Sequence, residues 1–148
     1  MINANNSSIA IKLEQIGSKF TQLEFEAKIM QKLKGTIGVP LIYYSGTDVD
    51  HKVIVMQKLG ENLKTVLDKS NNRIGLKTTL VLADKMLCIL EQVHEKGIIH
   101  RDIKPENWCL GEGADCHNLY LIDYGLSKVY VNDKNEHIPL KKDKSMLG

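Results

Sequence analysis

Aromatic residues are scarce in this sequence, at 5% of the chain, so any core must lean on Leu, Ile and Val. Proline is scarcer still, at three residues, and with eleven Gly this excludes a collagen-like or mucin-like chain. A wholly disordered chain is excluded by a hydrophobic fraction of 43%. Cysteine is limited to Cys88, Cys109 and Cys116, an odd number with no CxxC pair, which points to reduced, partly buried thiols. Cys116 and His117 could supply two metal ligands, but no second spaced pair accompanies them, so a zinc site is not expected. Charge of one sign is also missing: 20 basic against 18 acidic residues leave +2, which alone does not suggest nucleic-acid binding. The start, MINANNSS, lacks a basic region followed by an apolar one, and so lacks a secretory signal. The longest apolar run, Leu80 to Leu90, is interrupted by Asp84 and Lys85 and is too short to span a bilayer. The chain reads as soluble and intracellular, cytoplasmic or nuclear, and its 148 residues fit one domain.

What is present has a clear order. Ile9-Ala10-Ile11-Lys12-Leu13 reads as a strand, and Gln22 to Leu33 has helical apolar spacing at Leu23, Phe25, Ile29, Met30 and Leu33. Gly35, Gly38 and Pro40 punctuate, and Pro40–Tyr44 and Lys52–Met56 read as a hairpin about a Gly46–His51 turn. A short helix is expected over Asn62–Lys69, with Gly60 ending the strand before it. Leu76 to Lys96 is the strongest helix, stopped by Gly97. Its apolar residues leave little polar face between 80 and 90, so it is expected to be buried on most sides. Short segments follow at Ile98–Ile99, Trp108–Leu110 and Leu119–Ile122, and the class is α+β.

The chemistry-bearing residues lie in that second half. His100-Arg101-Asp102-Ile103-Lys104-Pro105-Glu106-Asn107 matches HRDxxxxN, and the apolar Tyr120-Leu121-Ile122 leads into Asp123-Tyr124-Gly125. The two motifs together resemble the catalytic loop and metal-binding DFG motif of a protein kinase, here DYG. Phosphoryl transfer is catalysed chiefly by positioning and charge neutralisation, and the residue types suit both. Asp102 would accept the substrate hydroxyl proton, and Lys104 would stabilise the transferring phosphate. Asn107 and Asp123 would hold magnesium through hard oxygen atoms. Arg101 would brace the loop, and His100 is expected to be structural. Ile9-Ala10-Ile11-Lys12 fits the V-A-I-K strand, so Lys12 would contact the α- and β-phosphates of ATP. Glu26 is the expected partner of Lys12, with Glu24 competing; Glu26 sits nearer the inward face of its helix.

The resemblance sharpens to the casein kinase 1 family. It is carried by IAIKLE, the Leu23–Leu33 helix, GTIGVP, VIVMQKLGENL, the long stretch LKTTLVLADKMLCILEQVHEKGIIHRDIKPENW, LYLIDYGLSKVY and HIPLKKDKSMLG, which is nearly the whole chain from Ile9. This implies a two-lobe, ATP- and magnesium-dependent Ser/Thr kinase, usually monomeric, that favours acidic or already phosphorylated protein sites. Lys141, Lys142 and Lys144 would suit such sites, since clustered cations pair with anions. Met56 would be the gatekeeper, the backbone of Gln57 to Leu59 would bond the adenine, and Cys109 and Ile122 would line its pocket. Residues up to about 58 would form N-lobe and hinge, and those from about 59 to 148 the start of the C-lobe into the activation segment. DYG replaces DFG, Trp108 stands where a smaller aromatic is usual, and Leu147 stands where the family has Thr. None of the eight residues before IAIK is Gly, so the glycine-rich loop is expected to be missing, along with most of the C-lobe. Two readings follow: a kinase of which these 148 residues are expected to be a part, with little or no activity by themselves, or a catalytically silent remnant or interaction module. No nucleic-acid or membrane partner is expected.

Overall fold

The structure is a computed structural model that describes residues 8–18, 21–132, 134 and 136–139. Lys141, Lys142, Lys144 and Leu147 lie outside the described residues. Strand β1 (Ile9–Gln15) is followed by helix α1 (Leu23–Lys32) and the hairpin β2 (Ile42–Asp48) and β3 (His51–Gln57). The three strands form one antiparallel sheet in the order β1-β3-β2. The hairpin turn is tighter than the Gly46–His51 span expected from composition, because Gly46 to Asp48 continue in β2 and only Val49 and Asp50 turn. β3 likewise ends at Gln57, ahead of Gly60.

α1 buries Leu23, Ala27 and Met30, a stripe at helical spacing, together with Ile29 and Glu26. Phe25, counted among the apolar positions of that helix, is 40% exposed on its other side. Burial of each large aliphatic side chain here is worth about 1.5–3 kcal/mol, which fastens α1 to the sheet. Asn62 then caps α2 (Leu63–Lys69), its Oδ1 accepting from the Thr65 N–H at 2.8 Å. The long helix α3 (Leu76–Glu95) ends before Gly97, which adopts a positive φ of 71°. Short antiparallel pairs complete the described fold: β4 (Ile98–Ile99) with β7 (Lys128–Val129), and β5 (Trp108–Leu110) with β6 (Leu119–Leu121).

α3 differs from its expected burial. Only Ile89 and Val93 are buried, whereas Leu76, Leu80 and Leu87 are 75%, 60% and 67% exposed. α3 meets β4 and β6 and rests Leu82, Met86 and Leu90, partly buried, against the core, whereas Leu76, Leu80, Val81 and Leu87 stay exposed. The sheet half is tied to the helical half at several points. The Leu121 amide donates to the Gly38 carbonyl at 2.8 Å, Gly60 to Leu110 at 2.8 Å, and Gln57 Nε2 to the Tyr120 hydroxyl at 3.3 Å. Gly38 is required there: its φ is +74°, and an added Cβ would lie 2.3 Å from Cδ1 of the buried Ile89. One core runs through both halves, from Leu23, Met30, Leu33 and Ile54 to Val93, Ile98, Trp108 and Leu121. Cys109 is buried and free; Cys88 and Cys116 are free and exposed.

Candidate active site

The loop between β4 and β5 is shaped from inside by His100, which is only 2% exposed. Its Nε2 bonds the Ile122 carbonyl at 3.0 Å, and its Nδ1 accepts from the Asp102 N–H at 3.2 Å. That pattern assigns the proton to Nε2 and requires a neutral ring. Burial pushes the His100 pKa below its ordinary value, in agreement with the geometry. The unfolded chain therefore takes up a proton near pH 6.5 that the folded protein resists, so stability is full above that pH and falls on acidification. Between about pH 7 and pH 5 the wild type is expected to lose stability more steeply than a His100→Asn variant, which has no proton to gain. Denaturant midpoints measured across that range check this; parallel slopes would contradict it.

Asp102 follows on the strained side of the loop, after Arg101 at φ +69°. The Arg101 Nε donates to the Leu126 carbonyl at 2.6 Å, joining the loop to the turn after Asp123. Asp102 Oδ2 accepts from Lys104 Nζ at 2.7 Å and from Asn107 Nδ2 at 2.9 Å. Asn107 Nδ2 also donates to the Asp102 carbonyl at 2.9 Å. The lysine bond holds the Asp102 carboxyl below the usual carboxylate range, and Asp102 in turn raises Lys104. Both bonds reach Oδ2, so Oδ1 carries no partner among the described residues.

The Ile122 amide donates to the Asn107 carbonyl at 2.9 Å, which brings Asp123 next to the loop. Asp123 has a left-handed φ of +66° and starts the short 3₁₀ turn Tyr124–Leu126. Such strain gathers at functional sites. Its carboxylate and Asn107 Oδ1 have no partner among the described residues, and both are oxygen donors of the kind magnesium prefers. The residues therefore fit a magnesium ion shared with phosphate and water.

The next residue reaches across to the sheet half: the Tyr124 amide donates to Glu26 Oε1 at 3.3 Å. Glu26 Oε1 also accepts from Lys12 Nζ at 2.6 Å. The competing carboxylate, Glu24, instead accepts from Lys28 and Lys52, which hold its pKa down at about 2. Hydrogen bonds thus join Lys12, Glu26 and the Tyr124 amide in one set and Lys104, Asp102 and Asn107 in another, and the backbone from Ile122, which donates to the Asn107 carbonyl, to Tyr124 connects the two. Tyr124 stacks edge-on to His100, with ring centroids 5.0 Å apart. Its hydroxyl is buried without a partner, and burial raises its pKa. An unsatisfied buried hydroxyl costs about 1–3 kcal/mol, so Tyr124→Phe is expected to leave stability unchanged or raise it. Thermal melting tests this; a marked loss would show that the hydroxyl has a partner.

Met56 is buried at the end of β3, between Ala10 and Ile42 in the sheet register. The Gln57 amide is taken by the Leu41 carbonyl at 2.8 Å, whereas the Leu59 amide and carbonyl have no partner among the described residues. Cys109 is 7% exposed on β5, its thiol pKa raised by burial, and Ile122 is half-buried beside Asp123. Glu14, whose Oε2 receives two amides at the start of α1, ends the IAIKLE stretch but carries no role from sequence reasoning; its place two residues beyond Lys12 on one strand face is the available signal. Among the described residues, no helix is long and apolar enough to cross a membrane. A family model described as the protein kinase domain matches residues 2–145.

Proposed function

Because this chain belongs to the protein kinase domain family, we propose that it transfers the γ-phosphate of ATP to Ser or Thr hydroxyls of acidic or already phosphorylated protein segments, in the manner of casein kinase 1. One observation supports this reading: the Lys12–Glu26–Tyr124 bonds and the Lys104–Asp102–Asn107 bonds are joined through the backbone of residues 122–124, with Asp102 Oδ1 left open. Residues to about 58 act as N-lobe and hinge, and those from about 59 onward as catalytic loop and activation segment.

In this reading Asp102 Oδ1 receives the acceptor hydroxyl and orients its oxygen for in-line attack. As the oxygen bonds to the γ-phosphorus, the bond to the β–γ bridging oxygen breaks, ADP leaves, and the proton passes to Asp102. A carboxyl held at low pKa by Lys104 is ionised at neutral pH and ready to orient the hydroxyl. Lys104, only 2.7 Å from that carboxylate, lies within reach of the moving phosphoryl group. Lys12, held by Glu26, would meet the α- and β-phosphates. Magnesium, held by Asn107 and Asp123, supplies charge neutralisation to the phosphates when bound. The Leu59 backbone groups, without partners among the described residues, would meet the adenine edge, with Met56, Gln57, Cys109 and Ile122 around the ring.

A second reading, a non-catalytic interaction module, is favoured by the exposed apolar side of α3 at Leu76, Leu80, Val81 and Leu87. Peptide kinetics separate the two. The kinase reading expects kcat/KM at least about tenfold higher for Ser peptides with acidic or phosphorylated neighbours than for basic ones or for Tyr peptides, since charged hydrogen bonds favour the former. Equal rates on all peptides would remove the specificity, and nucleotide binding without transfer would support the module.

A further inference from the structure

The clamp on α1 has more parts than the Lys12–Glu26 pair. Alternation along β1 places Lys12 and Glu14 on one face of the strand. Gln22, at the start of α1, offers no side-chain cap of its own. Glu14 replaces it from β1: its Oε2 accepts the N–H of Gln22 at 2.7 Å and that of Leu23 at 2.9 Å. A carboxylate at a helix N-terminus satisfies otherwise orphaned amides and meets the positive end of the helix dipole. Directly opposite Glu14 in the β1–β3 register stands Lys52, which donates to Glu24 at 2.8 Å. The first turn of α1 is therefore fastened to the sheet by Glu14, by Lys52 through Glu24, and by Lys12 through Glu26.

These three ties are unequal. Glu24 is 56% exposed in its side chain, and exposed ion pairs of that kind hold little. Glu14 is half-buried, with Oε1 shut away from solvent, and it bonds backbone rather than a mobile side chain. The Glu26 amide donates to the Gln22 carbonyl at 2.9 Å, so anchoring Gln22 fixes the turn that carries Glu26.

We propose that Glu14 is a positioning residue: it sets the height of α1 against β1 so that Glu26 meets Lys12. This rests on the kinase reading for its catalytic consequence, but the clamp itself is measurable without activity. A double-mutant cycle on stability, Lys12→Met with Glu26→Ala, is run in the wild-type, Glu14→Ala and Lys52→Ala backgrounds. The Lys12–Glu26 coupling is expected to fall by about half or more in Glu14→Ala and to persist in Lys52→Ala. Undiminished coupling in Glu14→Ala overturns the proposal. Glu14→Gln, which keeps an acceptor oxygen without the charge, covers a Glu14→Ala chain that does not fold. Amide exchange at residues 23–27 should then speed up about threefold or more, and unchanged exchange overturns the proposal. With peptide substrate, kcat should fall about tenfold in Glu14→Ala at constant peptide KM, since misplacing a phosphate-binding lysine acts on the chemical step. Absence of transfer by the wild type would count against the kinase reading, while the coupling result would still decide the role of Glu14.

Discussion

Replacing Asp102 by Asn is expected to lower kcat for phosphate transfer by about 10²–10⁴-fold, with nucleotide affinity and melting temperature nearly unchanged. In the proposed reaction the carboxylate takes the hydroxyl proton at Oδ1, while Oδ2 is held by Lys104 and Asn107. An amide of the same shape retains one oxygen for those donors but cannot accept the proton. Its neighbours are not left in difficulty, because the Lys104 side chain is 45% exposed and can return to water. The effect should therefore fall on kcat rather than on folding. Steady-state kinetics beside a thermal melt test this. A variant that keeps its rate would remove Asp102 from the chemistry.

The second large effect is an asymmetry in stability. Lys12 is 35% exposed in its side chain, whereas Glu26 is 5% exposed. Lys12→Met leaves a buried carboxylate whose remaining bond is the Tyr124 amide at 3.3 Å. Removing one partner of a buried pair costs about 3–5 kcal/mol, and the partial exposure of Lys12 places this site near the lower figure. Glu26→Gln retains an oxygen for Lys12 and for Tyr124, and the lysine can extend into solvent, so the cost is about 1 kcal/mol. Urea unfolding of the two variants should rank Lys12→Met as clearly the less stable. The reverse order would mean that Glu26 is not isolated from water.

Much of this arrangement is legible in the residues themselves. Helical spacing announces α1, alternation and punctuation announce β2 and β3, and HRDIKPEN with DYG marks the loop and turn that the structure brings together. Glu26 could be preferred over Glu24 because it lies between Leu23 and Ile29 on the inward face. Local pattern could not show relations set by distant packing. Phe25 is as apolar as its neighbours but faces away from the sheet. The apolar residues of α3 announce a buried helix, yet burial depends on what lies opposite: Ile89 and Val93 are buried, Leu82, Met86 and Leu90 are partly covered, and Leu76, Leu80 and Leu87 are exposed. The left-handed backbone at Arg101 and Asp123 is imposed by loop closure rather than by residue type. Glu14 reads as one more charge on a strand until the start of α1 is seen to close onto it.

The Lys12–Glu26–Tyr124 and Lys104–Asp102–Asn107 sets together are proposed to form a phosphoryl-transfer site. This is tested most directly by incubating the full-length protein with magnesium, γ-labelled ATP and an acidic Ser peptide, beside its Asp102→Asn variant, and locating the label. Label on the peptide serine with the wild type, and only background with the variant, is the predicted result. Label at equal levels with both proteins, or with neither although ATP is bound, would contradict the claim.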